Sequence, residues 1–205
     1  MDSVKLTVYS DYVCPWCYVG QGAVEKMMKE YPVEVTWRPF YLRPDTPQEG
    51  MDLPEHVKAH MAQTNARLKQ MADAAGLEIV FPDRLPNTRL AHEATEYANR
   101  KGKGLLFHKK VFNRFYAKGE DIGQWRVLQE AAVEVGLDAD EMKLEVESGK
   151  YTQIVRGQVE EAAQTGIDVV PTYVLNEEYV IVGAQPYENF IRALTQIQQE
   201  KDDQS

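Results

Sequence analysis

The chain has 205 residues, enough for one substantial core or two smaller ones. Hydrophobic residues make up 43% and charged residues 27%, a balance that excludes wholesale disorder. Twenty-three basic against thirty-two acidic side chains give a net charge of −9, which argues against nucleic acid or an anionic membrane surface as the main partner.

Val4–Tyr9 alternates apolar and polar residues, the pattern of a short strand. Two residues apart around Pro15-Trp16 stand the only cysteines, Cys14 and Cys17. A helix is predicted from about Cys14 to Glu30, with Val24, Met27, Met28 and Tyr31 on one face and Pro15 in its first turn. Tyr31-Pro32 ends it, and Val33–Trp37 alternates as a second strand. Strand, helix, strand in this order requires a parallel pairing with a right-handed crossover.

Pro39, Pro44, Pro47 and Pro54 then break the pattern, and strands are expected to vanish for roughly a hundred residues. Helical stripes follow one another. They run through Val57–Ala75, Asn87–Gly102, Leu105–Phe115, Trp125–Val135, Leu137–Ser148 and Val155–Ala162. Strands are predicted again at Val169–Leu175 and Tyr179–Val182, joined by a turn at Asn176-Glu177-Glu178. Pro186 opens a last helix with Phe190, Leu194 and Ile197 facing inward. The order β-α-β, helices, β-β-α reads as a thioredoxin-like α/β fold with a central four-stranded mixed sheet and an inserted all-helical domain. On that reading 1–42 and 150–205 form the discontinuous sheet domain, and 43–149 the insertion.

A thiolate, not a thiol, attacks a disulfide. A helix N-terminus favours an anion on Cys14 through its free N–H groups and the positive end of its dipole. Cys17, one turn further on the same face, is placed to resolve a mixed disulfide formed by Cys14. Pro15 stiffens the turn, and Trp16 offers an apolar rim with no charge. Asp11, if turned toward the sulfurs, would oppose the thiolate. The competing reading of a Cys-x-x-Cys pair is half of a zinc site. That needs two further ligands, and the His56–His60 pair lies 38 residues beyond Cys17, far outside finger spacing. No metal is expected. Two cysteines also fall short of a disulfide framework, and no run reaches transmembrane length, so the chain is expected to be cytoplasmic.

Five stretches together resemble the DsbA-like thioredoxin-fold family and, within it, the cytoplasmic FrnE-type branch. They are Cys14–Gly20, Trp37–Leu42, Pro86-Asn87-Thr88 with Ala91-His92, Val170–Tyr173 and Gly183–Pro186. The resemblance implies a thiol–disulfide oxidoreductase with Cys14 as nucleophile, Cys17 as resolving thiol and Val170-Pro171 as a cis-proline loop facing them. Protein thiols or glutathione would be its partners. No cofactor would be bound permanently, with glutathione a candidate co-substrate, and the chain would be a monomer or homodimer.

The same fold carries 2-hydroxychromene-2-carboxylate isomerases and kappa-class glutathione transferases, and a glutathione-dependent reaction through Cys14 is the alternative. Arg38, Asn87 and Thr88 resemble pocket positions of those relatives, and Pro15, Trp16 and Val170 join them as candidate substrate contacts. Asn87 nonetheless reads more readily as a helix cap, Arg38 as a surface ion pair, and His92 and His108 as packed core histidines.

Overall fold

The computed structural model describes residues 3–203. Four strands make one sheet in the order β2-β1-β5-β6, from β1 (Val4–Ser10), β2 (Val33–Pro39), β5 (Thr172–Leu175) and β6 (Tyr179–Val182). β1 and β2 run parallel, Val4 beside Val33 and Ser10 beside Pro39. α1 (Pro15–Glu30) makes their crossover. β5 and β6 pair antiparallel, so the sheet is mixed. Asn176 and Glu177 turn the β5–β6 hairpin with φ of 50° and 65°, the mirror-image turn that matches strand twist. Asn176 also clasps β1: its Oδ1 accepts from Lys5 N at 3.0 Å, and its own N–H donates to Lys5 O at 2.8 Å.

Between β2 and β5 lie α2 (Glu55–Ala74), α3 (Arg89–Arg100), α4 (Gly104–Phe112), α5 (Trp125–Glu134), α6 (Ala139–Glu147) and α7 (Thr152–Gln164). α8 (Tyr187–Asp203) follows the sheet. Three departures from the sequence reading have local causes. Strands do not vanish in the middle: β3 (Met51–Asp52) and β4 (Arg84–Leu85) pair antiparallel across α2. β5 starts at Thr172 rather than Val169, because the Val170–Pro171 peptide is cis and Thr172 Oγ1 turns back to donate to Val169 O at 2.6 Å. The Leu105–Phe115 stripe passes from α4 into a π-helical turn, Asn113–Ala117. A π turn rotates the side chains that follow it and recurs at functional sites; here it carries Phe115 and Tyr116 inward.

The apolar residues form two clusters, and α1 belongs to both. Val24 and Met27 of α1 join Leu6, Val8, Tyr173, Leu175 and Phe190 beneath the sheet. The first turns of α1, with Cys14, Cys17, Tyr18 and Val19, pack instead among the helices of the middle segment, against Leu68, Phe112 and Tyr116. The dithiol therefore lies where the sheet hands over to the helical block.

Candidate active site

Cys14 is the residue that precedes α1, with φ −92° and ψ 111°, and Pro15 holds the first helical position. Pro15 has no N–H to leave unpaired there. The Cys14 N–H donates to Asp11 O at 3.1 Å, and Cys14 O accepts from the N–H groups of Cys17 and Tyr18 at 3.1 and 3.2 Å. This closes the first turn and brings both thiols to one side. Both are free and buried, at 2% and 1% exposure.

Across from them lies the cis Val170–Pro171 peptide. The Cys14 thiol donates to Val170 O at 3.6 Å, a contact spanning 156 positions of chain. Gly183 N donates to Pro171 O at 2.7 Å and holds the loop from the side of β6. Gly20 lets the loop approach α1: a Cβ there would lie 2.2 Å from the Tyr173 hydroxyl and 3.6 Å from Pro171 Cγ.

Burial is the main force that pushes the Cys17 thiol well up from its ordinary value, followed by the neighbouring Cys14. The Asp11 backbone and the Ser10 hydroxyl pull the other way. Tyr116 and Tyr173 face the same sulfurs. Burial and then the cysteines raise both phenols well above the usual tyrosine range, so both stay protonated.

Asp11 is fully buried but spends its carboxylate away from the thiols. Oδ2 accepts from Leu42 N at 2.7 Å, and Oδ1 lies 3.1 Å from His92 Nε2. His92 is thus more than a packed core histidine. His108 does match that description, stacked on Trp37 with ring centres 4.0 Å apart. Trp16 is half-buried and carries the Arg67 guanidinium 5.4 Å from its ring centre, so α2 supplies a cation to the rim that the sequence shows as uncharged.

Cys14, Cys17, Val170 and Pro171 thus meet, with Pro15 and Trp16 beside them. Asn87 spends its side chain on backbone: Nδ2 donates to Thr46 O at 2.6 Å, and Oδ1 accepts from Arg89 N at 3.0 Å. It joins the proline-rich loop to the start of α3, and Thr88 is buried beside it. Arg38, at the end of β2, lines a small cleft with Trp37, His92, Glu96, Asn99 and His108. His56 and His60 are exposed on α2, and among the described residues no three His, Cys, Asp or Glu side chains are grouped to hold a metal.

Residues 5–195 match the family model for the DSBA-like thioredoxin domain. The chain belongs to this family. The uncharacterized protein YwbO of Bacillus subtilis is 36% identical over 202 residues, covering 97% of this chain and all of that one. A probable DsbA oxidoreductase from Streptomyces coelicolor superposes with a TM-score of 0.86 at 30% identity, over 96% of this chain and 91% of that one. A 2-hydroxychromene-2-carboxylate isomerase superposes with a TM-score of 0.82 at 17% identity, over 98% and 99% of the two chains, and shares the fold. Among the described residues no helix is long and apolar enough to cross a membrane.

Proposed function

We propose that this DsbA-like protein is a thiol–disulfide oxidoreductase that cycles Cys14 and Cys17 between dithiol and disulfide. The observation that carries the reading is the paired site itself: two adjacent buried thiols in the first turn of α1, with Cys14 in contact with Val170 O on the opposing loop. Cys14 attacks a partner disulfide and forms a mixed disulfide, and the displaced partner thiolate leaves. Cys17 then attacks Cys14 Sγ, the mixed S–S bond breaks, and the second partner thiolate departs. The protein is oxidised by two electrons and the partner reduced by two; the reverse sequence oxidises a partner dithiol.

The 2% exposure of Cys14 bears on the substrate. A disulfide must present a protruding sulfur, as an extended peptide or glutathione disulfide does. Cytoplasmic protein thiols and glutathione fit this requirement. Val170, Pro171, Pro15 and Trp16 form the partner-facing rim. Asn87 and Thr88 serve the loop and helix junction, and Arg38 lines the small cleft at the end of β2 beside Trp37 and His92.

The test is turnover of a model disulfide by Cys14→Ser and Cys17→Ser, with and without glutathione. Dithiol cycling predicts that Cys14→Ser abolishes turnover and that Cys17→Ser halts at a mixed disulfide. Glutathione-dependent turnover that survives Cys17→Ser would instead support the isomerase or transferase reading.

A further inference from the structure

At the end of β1, four residues before Cys14, stands Ser10. It is 2% exposed, and its hydroxyl oxygen is fully enclosed without a hydrogen-bond partner. Leaving a buried hydroxyl unpaired is destabilising, so such a group in a folded protein calls for a reason. Four side-chain atoms share this condition among the described residues: Ser10 Oγ, Thr46 Oγ1, Asn65 Oδ1 and Arg114 Nε. Of these, Ser10 Oγ is the one against the Cys17 sulfur, where its hydroxyl favours the charged form. The residue is fixed in place, since its carbonyl accepts from Phe40 N at 2.9 Å where β1 and β2 end together.

A neutral thiol is a poor acceptor and a thiolate a strong one. The hydroxyl therefore gains its partner when Cys17 becomes an anion, which is the state that attacks the mixed disulfide. We propose that Ser10 is a catalytic residue of the resolving step, donating a hydrogen bond to the Cys17 thiolate as it attacks Cys14 Sγ. This rests on the dithiol reading and deepens it. The Cys17 sulfur lone pair forms the Cys14–Cys17 bond, the bond from Cys14 to the partner sulfur breaks, and the partner leaves with that electron pair. Cys17 gives up one proton and the departing thiolate takes one up, so no oxidant beyond the mixed disulfide is needed. The Asp11 backbone supports the same anion. The other ionisable groups facing it are Cys14 just before α1, Tyr116 on the π turn and Tyr173 on β5. The Asp11 carboxylate is engaged with His92 of α3.

The experiment uses the full chain, reduced and mixed with glutathione disulfide, quenched with acid at intervals. The Cys14–glutathione adduct is followed by mass across a pH series, in the natural protein, Ser10→Ala, Ser10→Thr and Cys17→Ser. Ser10→Ala is expected to form the adduct at the natural rate and resolve it about tenfold more slowly near neutrality, the loss of one charge-assisted hydrogen bond. The deficit should close at alkaline pH, where Cys17 ionises unaided, and Ser10→Thr should retain most of the natural rate. The folding stability of Ser10→Ala should be unchanged or raised, since an unpaired buried hydroxyl is removed. Equal resolution rates in Ser10→Ala and the natural protein at every pH would overturn the proposal, as would a deficit of the same size in both steps and at all pH. Adduct that fails to accumulate in Cys17→Ser would instead defeat the dithiol reading, and this inference with it.

Discussion

Gly20→Ala probes the seam between α1 and the loop that faces the dithiol. The new methyl carbon would stand 2.2 Å from the Tyr173 hydroxyl, inside any real contact distance. Tyr173 cannot swing aside: its ring is 1% exposed and packs edge-on against Phe190, with centres 4.8 Å apart and planes at 89°. Overpacking of this kind costs about 3 kcal/mol, at the upper end of its usual range. Replacing glycine inside a helix returns about 1 kcal/mol. The net loss is about 2 kcal/mol, or about 4–8 °C in Tm for a chain of this size. Thermal and urea unfolding followed by circular dichroism measure it, and disulfide exchange should slow because the loop is pushed from Cys14. The decisive arm repeats the substitution in a Tyr173→Phe background. The nearest atoms there are Pro171 Cγ and the ring Cζ at 3.6 Å, ordinary contacts, so Gly20→Ala should be neutral or stabilising by up to about 1 kcal/mol. The same loss in both backgrounds would refute the reasoning.

Burial, with His92 beside it, holds His108 neutral well below the usual histidine range. The unfolded chain takes up a proton below about pH 6.5 that the folded chain refuses, so this contribution is complete above that pH. It falls as pH drops, by at most about 1.4 kcal/mol per unit. His108→Phe should remove that part of the acid slope when urea midpoints at about pH 7.5 and pH 5 are compared. Asn87→Ala should lower stability by about 1–2 kcal/mol through loss of its links to Thr46 O and Arg89 N. Disulfide exchange by the folded Asn87→Ala protein should be unchanged, as measured by steady-state turnover at a temperature where both proteins are native.

Local patterns in the sequence carried the β-α-β and β-β-α halves and the dithiol at the head of α1, whereas the pairing of that dithiol with Val170-Pro171 came only from the family resemblance. Alternation, helical stripes and turn residues act over a few positions and read directly. What stayed hidden depends on separation. Gly20 stands in the Cys14–Gly20 motif, yet the reason it must lack a side chain is Tyr173, far along the chain. Tyr116 directly follows the Leu105–Phe115 stripe, which gives no hint of a π turn carrying it toward the sulfurs. The Asp11–His92 contact joins a strand end to α3 and leaves no periodic trace, although both residues lie in or beside stretches that carry the family resemblance. Ser10 reads as the polar end of a strand, and only its enclosure beside Cys17 sets it apart. The start of β5 was misplaced because a β-branched run reads as strand even where a cis peptide bends it.

If Cys14 and Cys17 form one redox couple, equilibration against glutathione buffers of graded ratio measures it directly. The fraction of Cys14–Cys17 disulfide would be read by alkylation and mass. A single two-electron transition to an internal disulfide is expected, lost in both Cys14→Ser and Cys17→Ser. A pair that stays fully reduced in excess oxidised glutathione, in a protein with no disulfide reductase activity, would contradict it.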